Sequence, residues 1–262
     1  MTIFQSLILG AIEGFTEFLP ISSTAHLLVG QRLLGLAQTS AFFTTVVQLG
    51  ALGGLLVEER MALLRIIKQV GKTTLLEMEG VKLLLASVPV LIVGFAIRKH
   101  IDSIQSDFAI IAVMSIAVAF LLLLAQWKAS HSTVQKAVSL KDYLVMGIFQ
   151  VIAILPGTSR SGIVASAGML SGLSFVQAME QSFLLSIPAL ILAGGYEMLK
   201  VFHSGVEGSI LAPTLIATVV AFATAIVSIS WLRRTVNKVG FMPFIIYRIL
   251  FGIFVLVVFT LH

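Results

Sequence analysis

Two glutamates lie one helical turn apart in a mostly apolar N-terminal stretch of the sequence. Glu13 and Glu17 are four residues apart, so both carboxylates lie on one face if the segment is helical. Residues 3–12 and 18–21 on either side are mostly apolar. Carboxylates in such surroundings are costly to ionise without a partner, and they usually mark a functional site. A solvated helix end is the structural alternative, and the apolar flanks argue against it.

Hydroxyl groups and an imidazole follow the carboxylates after Pro20. Ser22, Ser23 and Thr24 can each cap the next helix, and a helix N-terminus attracts anions through its free N–H groups and its dipole. His26 lies one turn beyond Ser22 and Ser23, and we expect it to reach either hydroxyl. A hydroxyl beside an imidazole that a carboxylate orients is the arrangement that activates an oxygen nucleophile. A histidine with a purely structural role is the alternative.

A second polar cluster, PGTSRSG at residues 156–162, carries an arginine. Its hydroxyl and glycine residues are Gly157, Thr158, Ser159, Ser161 and Gly162. The hydroxyls can donate to a phosphate, and the glycines let backbone approach a ligand closely. Arg160 needs an anionic partner at such a place, and the candidates are Glu13, Glu17 or a phosphate that the guanidinium binds through two hydrogen bonds.

The composition places both clusters in a membrane protein. Of the 262 residues 58% are hydrophobic and 11% are charged, whereas a soluble domain carries about 25% charged residues. Six apolar segments are candidates to cross about 30 Å of hydrocarbon, although the second is short and has to extend into its flanks. These predicted spans are 41–57, 83–97, 108–126, 178–200, 212–232 and 243–261. The chain has no cysteine, which excludes disulfides and thiolate chemistry.

Two further apolar regions, 1–36 and 143–173, are each interrupted by Leu-Pro and a hydroxyl cluster. Proline removes a backbone donor and disfavours helix in the residue before it. We therefore expect two half-helices that meet at a polar turn in each region, with two separate short spans as the alternative. Irregular backbone at membrane depth has to be buried in protein or line a wet cavity.

The two interrupted regions also resemble each other. LILGAIEGFTEFLPISST at 7–24 aligns with LVMGIFQVIAILPGTSRS at 144–161. Three predicted spans separate the regions, so the second region enters from the opposite side of the membrane. The predicted fold is an all-α polytopic membrane protein, an inverted-topology repeat with two re-entrant helix-turn-helix hairpins and about six spanning helices. We predict one membrane domain, 1–262, with pseudo-repeats at about 1–126 and 142–262.

Loop charges predict the orientation in the membrane. The loops at 58–82, 127–142 and 233–240 hold eleven lysines and arginines, against four on the other side. The positive-inside rule makes the eleven-charge side cytoplasmic, so both termini lie outside. The net charge of +5 arises mostly from the basic residues of these loops, which we expect to meet anionic membrane lipids. No nucleic-acid partner is expected.

Four other polar residues lie in apolar surroundings, and we interpret them mainly as helix–helix contacts or interfacial anchors. They are Gln48, Gln150, Glu180 and Arg248. The stronger candidates suit an anionic, phosphorylated lipid, because phosphoryl transfer needs an in-line oxygen nucleophile and neutralisation of the transferred charge. A secondary transporter or lipid flippase is the rival interpretation, since broken helices and midplane charges are typical of transporters too.

The chain resembles the undecaprenyl pyrophosphate phosphatase family, the bacitracin-resistance membrane phosphatases. EGFTEFLPISSTAH matches the family's E/Q-x-x-x-E motif followed by Pro-x-Ser-Ser-Thr-x-His, and PGTSRSG matches its Pro-Gly-x-Ser-Arg-Ser motif. Further likeness lies in VVQLGA (46–51), SFLLSIP (182–188) and FMPFIIYR (241–248). The resemblance implies hydrolysis of the C55 isoprenyl pyrophosphate to the monophosphate in the bacterial plasma (inner) membrane. It also implies an active site near the outer, periplasmic face and a homodimer.

The resemblance assigns roles to the polar clusters. Ser23 becomes the leading nucleophile with His26 as its acid/base partner, while His26 itself or a water activated by Glu17 remain alternatives. A divalent cation, Mg or Ca, held by Glu13 and Glu17 is expected, and no organic cofactor. The expected catalytic residues are Glu13, Glu17, Ser23, His26 and Arg160, and the expected substrate-binding residues are Ser22, Thr24, Gly157, Thr158, Ser159 and Ser161.

One position departs from the family pattern. The second motif usually continues to a threonine three residues after its last serine, and here that residue is Val164. If the threonine donates to a phosphate in relatives, this chain lacks that donor, and Ser161 or Ser166 would have to replace it.

Overall fold

The computed structural model describes residues 1–36, 38–98, 104, 107–131, 136–204 and 208–260. Its described residues form helices and no β-strand, which confirms the predicted all-α class. The helices are α1 Ile3–Thr16, α2 Ser23–Leu33, α3 Ala41–Glu58, α4 Arg60–Ile67, α5 Glu79–Ala96, α6 Phe108–Ser130, α7 Leu140–Gln150, α8 Arg160–Leu170, α9 Phe175–Ser204, α10 Gly208–Val239 and α11 Met242–Val255. A 3-10 turn, Val151–Ile154, follows α7, and a π turn, Leu256–Thr260, follows α11.

Six of the described helices are long and apolar enough to cross a membrane, in agreement with the six predicted spans. They are α3, α5, α6, α9, α10, and α11 together with its π turn. The second span, predicted at 83–97, begins earlier, at Glu79, and so reaches 18 residues. The chain is therefore a multi-pass membrane protein.

The other long apolar regions are broken where the sequence predicts. Helices α1 and α2 have 14 and 11 residues, and α7 and α8 have 11 each. At 1.5 Å per residue the longest of these is about 21 Å long, less than the hydrocarbon thickness of about 30 Å. Within each region the two helices pack on each other. Re-entry of each pair from one membrane face stays a prediction that follows from these lengths.

Both first half-helices begin with the same capping motif. The Thr2 hydroxyl accepts from the Gln5 backbone N–H at 3.2 Å, and the Gln5 side chain accepts from the Thr2 N–H at 2.8 Å. Ser139 and Asp142, which lie 137 positions after Thr2 and Gln5, form the same reciprocal pair at 3.3 and 2.9 Å. Such capping boxes satisfy two N–H groups that a helix start leaves free. The match supports the predicted repeat.

Each first half-helix packs against a long helix from the other half of the chain. Helix α1 lies on α10, and α7 lies on α5. The contacts are so close that a Cβ on Gly10 would overlap the Ala217 carbonyl, and a Cβ on Gly147 would overlap that of Ala86. Each half of the chain therefore contributes a half-helix that packs against a long helix of the other half. The opposite orientation of the two halves in the membrane remains a prediction.

The irregular backbone at both breaks is enclosed by protein. Residues 16–23 and 156–159 are all buried, and nine of the eleven residues of α8 are buried as well. Helix α8 contacts α6, α7 and α9. This agrees with the requirement that non-helical backbone at membrane depth be shielded from lipid.

Candidate active site

The two helix breaks contact each other directly. The Leu19 carbonyl of the first break accepts from the Ser161 hydroxyl at 2.9 Å and from the Ser159 hydroxyl at 3.3 Å. A Cβ built on Gly162 would lie 3.3 Å from the Cβ of Pro20. The two polar clusters, which are about 140 residues apart in sequence, therefore form one site.

Glu17 is the centre of this site. Its Oε2 accepts from the Ser23 hydroxyl, and its Oε1 accepts from the Arg160 guanidinium. Gln48 of α3 donates to the same Oε1 at 3.4 Å. The Glu17 and Arg160 side chains are 4% and 17% exposed. Of the partners predicted for Arg160, the structure selects Glu17, and it brings a carboxylate, a hydroxyl and a guanidinium together.

Glu13 lies one turn before Glu17 on α1 and is 2% exposed. The two carboxylates are therefore neighbours, as their spacing predicts. Within the described residues no group of three or more His, Cys, Asp or Glu side chains could hold a metal ion. Two carboxylates alone fit a cation that completes its shell with phosphate and water oxygens, which is how Mg²⁺ is usually bound.

Two serines at the breaks have an unusual backbone conformation. Ser22 has φ 76° and ψ 97°, and Ser159 has φ 66° and ψ 110°. Each is the N-cap of the half-helix that follows, so Ser23 and Arg160 are the first residues of α2 and α8. Non-glycine residues at positive φ cost about 1–3 kcal/mol and are concentrated at functional sites. The same strained turn at equivalent positions presents both half-helix N-termini to the contact between the breaks.

His26 does not bind the serine hydroxyls, contrary to the prediction. Its Nδ1 lies 2.7 Å from the Ser22 carbonyl, which can only accept, so Nδ1 carries the proton. Its Nε2, 2.6 Å from the Tyr247 hydroxyl, then accepts from it, and the ring stacks on Phe251 with centroids 4.2 Å apart. The Ser23 hydroxyl is bound to Glu17 instead. The imidazole is instead bound by the Ser22 carbonyl, one turn earlier, and by Tyr247 and Phe251 of α11.

The remaining predicted substrate-binding residues lie around the breaks. Thr24 is half-buried in the first turn of α2, and Thr158 is fully buried. Gly157 has φ 84°, and a Cβ there would overlap the Ile111 carbonyl of α6. Both glycines allow close packing against protein atoms, and the expectation that Gly157 and Gly162 approach a ligand stays a prediction.

Comparison with known proteins identifies the family. Residues 6–254 match the family model described as bacitracin resistance protein BacA. The chain belongs to the BacA family. BacA relatives named undecaprenyl-diphosphatase include those of Myxococcus xanthus (32% identity, covering 98% of this chain and 89% of the relative), Neisseria gonorrhoeae (33%, 98% and 95%) and Nocardioides sp. (36%, 95% and 93%).

Val164 replaces the threonine expected in the second BacA motif, and it is fully buried in α8. Both serines named as substitutes donate to backbone carbonyls in this structure. The Ser166 hydroxyl donates to the Gly162 carbonyl at 2.8 Å, and the Ser161 hydroxyl donates to Leu19. The buried valine therefore supplies no side-chain donor at this position of α8.

The four weaker polar candidates lie in different surroundings in the structure. Gln48 joins the site through Glu17, whereas Glu180 is exposed and lies near Glu59 instead. Gln150 and Arg248 are fully buried. Tyr247 was missed, although it lies in the FMPFIIYR stretch that carries BacA likeness. Its contact with His26 spans 221 residues, and no local pattern reveals such a pairing.

Proposed function

We propose that the chain hydrolyses undecaprenyl diphosphate to undecaprenyl phosphate and inorganic phosphate, which recycles the lipid carrier of cell-wall synthesis and confers bacitracin resistance. The observation that carries the proposal is the convergence of Glu17, Ser23 and Arg160 where the two breaks meet. These groups supply a base, a nucleophile and a phosphate-binding cation. Membership of the BacA family and the names of its relatives support the same reaction.

In the proposed mechanism Ser23 is the nucleophile and Glu17 is its base. Glu17 takes the proton of the Ser23 hydroxyl, to which it is already hydrogen-bonded. The Ser23 oxygen attacks the terminal phosphorus in line with the anhydride bond. A P–O bond to Ser23 forms while the anhydride bond breaks, and undecaprenyl phosphate leaves with the electron pair. Water then hydrolyses the phosphoserine, which releases phosphate and restores the hydroxyl.

Arg160 neutralises the phosphate charge in this mechanism. Its Nε is buried and has no partner within the described part of the chain, so the guanidinium has a donor to spare beyond its ion pair with Glu17. The first N–H groups of α2 and α8 add their dipoles, because helix N-termini favour anions. The isoprenyl tail lies in lipid or in an apolar groove.

A water molecule activated by Glu17 is the alternative nucleophile. His26 is less suited to attack or to act as the base of Ser23, because both its ring nitrogens bind other groups. Ser23→Ala separates the two mechanisms. Loss of turnover together with loss of a trappable phosphoserine supports serine attack, whereas hydrolysis that persists at a measurable rate supports water attack.

A divalent cation fits beside Glu13 and Glu17 as the two protein ligands. Mg²⁺ or Ca²⁺ there would neutralise phosphate charge as a Lewis acid. Glu13, buried beside Glu17, would otherwise add negative charge to a site that receives an anion. The cation is therefore the simplest reason for a second carboxylate.

The active site and both termini are proposed to face the periplasmic side of the inner membrane. The support is the distribution of loop lysines and arginines, eleven against four, under the positive-inside rule. A reporter fused to the C-terminus is expected to be active outside the cytoplasm. Activity confined to the cytoplasm would reverse the orientation.

The test of function compares two matched arginines. Purified protein in detergent is expected to release phosphate from farnesyl or undecaprenyl diphosphate, whereas a transporter or flippase would show no turnover without sealed vesicles. Arg160→Lys is expected to lower kcat/KM about 100-fold, because lysine cannot reproduce the two-pronged guanidinium contact. The control is Arg233→Lys, since Arg233 also pairs with a buried carboxylate, Glu59, away from the site. It should stay within about threefold of wild type.

Absence of phosphate release by the wild type would refute the proposed hydrolysis. Equal effects of the two lysine variants would refute the assignment of Arg160.

A further inference from the structure

We propose that Arg248 of α11 is a positioning residue that holds the two helix breaks at the spacing hydrolysis requires. The proposal rests on the proposed function, because the breaks carry Glu17, Ser23 and Arg160. Arg248 itself is outside the set of residues that would contact the diphosphate, and it acts through the backbone of both breaks.

Arg248 is completely buried, and backbone carbonyls surround its guanidinium. The acceptors are the carbonyls of Gly157 at 2.7 Å, Pro20 at 3.0 Å, Ser115 at 3.2 Å and Met114 at 3.3 Å. The first two belong to the two breaks and the last two to α6. A planar guanidinium with five donors in a fixed fork can bind several acceptors in different directions at once, which an ammonium on a single atom does less well.

The two break carbonyls occupy the same position in the repeat. Pro20 is two residues before Ser22, and Gly157 is two residues before Ser159, where Ser22 and Ser159 are the strained N-caps. One side chain therefore fixes equivalent points of both turns relative to each other and to α6. This is the geometry expected of a group that sets the distance between the breaks.

The positive charge of Arg248 is not neutralised by a carboxylate in the described part of the chain, where its partners are carbonyls. Burying such a charge costs several kcal/mol, so a purely structural contact would be made more cheaply by an apolar side chain. The arrangement has two consequences for an anion. One carbonyl of each break, Pro20 and Gly157, is bound by a donor, and a fixed cation lies beside both turns.

The first experiment measures kinetics. Arg248→Lys keeps the charge but cannot span all four carbonyls, and it is expected to lower kcat about 10- to 100-fold while KM changes less than about threefold. Ile245→Val, a buried residue one turn away on α11, is the control and should retain at least half of wild-type kcat. The double variant with Arg160→Lys should lose less than the product of the two single losses, because both changes act on one geometry.

The second experiment needs no activity. The chain has no cysteine, and the Cβ positions of residues 20 and 162 are 3.3 Å apart, within a few tenths of an ångström of disulfide spacing. In native membranes, Pro20→Cys with Gly162→Cys should form a disulfide readily. Adding Arg248→Lys is expected to slow its formation at least fivefold, and adding Ile245→Val should leave it unchanged. Pro20→Cys with Gly168→Cys, on the same half-helix, is the negative control.

The outcomes separate this proposal from the proposed function. If the wild type hydrolyses no diphosphate, the proposed function fails, and the cross-linking rates still decide the role of Arg248. Unchanged cross-linking with Arg248→Lys overturns positioning. So does retention of more than half of kcat, or a double variant whose losses multiply without coupling. Slower cross-linking supports positioning where the purified Arg248→Lys variant still melts cooperatively, and slower cross-linking with loss of cooperative melting overturns positioning in favour of a purely structural role.

Discussion

Replacing Glu17 with glutamine tests the site at its centre. Glu17→Gln keeps the shape of the side chain but removes its charge and its ability to accept the proton of Ser23. In the structure the carboxylate accepts from Ser23 on one oxygen, and from Arg160 and Gln48 on the other. The amide replaces one of these acceptors with an N–H₂ group, which would face the Ser23 hydroxyl or the guanidinium.

The size of the effect follows from these contacts. Loss of a general base lowers turnover by about 10²–10⁴, which corresponds to about 3–5 kcal/mol in the barrier. Leaving a partly buried Arg160 without its carboxylate costs about 3–5 kcal/mol of stability by comparison with broken buried ion pairs. Its side chain is 17% exposed, so hydration should reduce that cost. We expect a folded variant with kcat at least 100-fold below wild type.

Gln48→Leu is the matched control, because it removes only the 3.4 Å hydrogen bond to the same carboxylate oxygen. A hydrogen bond to a charged group contributes about 1.5–3 kcal/mol, and one as long as 3.4 Å lies at the weak end of that range, so kcat should fall by about tenfold or less. The assay is phosphate released from farnesyl diphosphate in detergent, with a melting curve for each variant. The reasoning fails if Glu17→Gln keeps more than a tenth of wild-type kcat, or if Gln48→Leu loses as much as Glu17→Gln.

Three further predictions concern neighbouring groups. Tyr247→Phe removes the hydrogen bond to His26 and should lower the free energy of unfolding by about 1 kcal/mol, measured as a lower melting temperature. Its kcat should fall less than tenfold, and a 100-fold loss would show that the Tyr247 hydroxyl takes part in the reaction. Ser22→Gly relieves the positive φ and should raise unfolding stability by about 1 kcal/mol, whereas a loss of stability would contradict backbone strain there. Chelation should lower phosphate release, and added Mg²⁺ or Ca²⁺ should restore it; unchanged activity would exclude the cation at Glu13 and Glu17.

Much of the architecture could be read from the sequence because the signals are local. The apolar segments and the two Leu-Pro interruptions give the six long helices and both breaks, and internal similarity indicates that the breaks belong together. The pairing of Arg160 with a nearby glutamate follows from the cost of an unpaired charge in lipid.

The orientation of side chains at the breaks could not be predicted, because distant elements decide it. His26 binds the Tyr247 hydroxyl, which is 221 residues away, and the Ser22 carbonyl, but neither of the serine hydroxyls one turn back. Gly157 packs so closely against α6 that a Cβ there would overlap the Ile111 carbonyl, a contact that the sequence does not reveal. Arg248 looked like an ordinary helix contact, yet it binds carbonyls from three separate segments.

The two strained serine turns have similar backbone conformations but are followed by residues of different chemistry. Immediately after the turn, the first half of the chain has Ser23 and the second half has Arg160, each as the first residue of its helix. A diphosphate is itself a nearly symmetric group with two phosphates. The proposed site would meet this group with two helix N-termini that share one turn conformation and differ in the residue after it, a hydroxyl in the first half and a guanidinium in the second. Glu17, the carboxylate that binds both of these residues, belongs to the first half and faces Ile154 in the alignment, so the two halves are alike in backbone and unlike in chemistry.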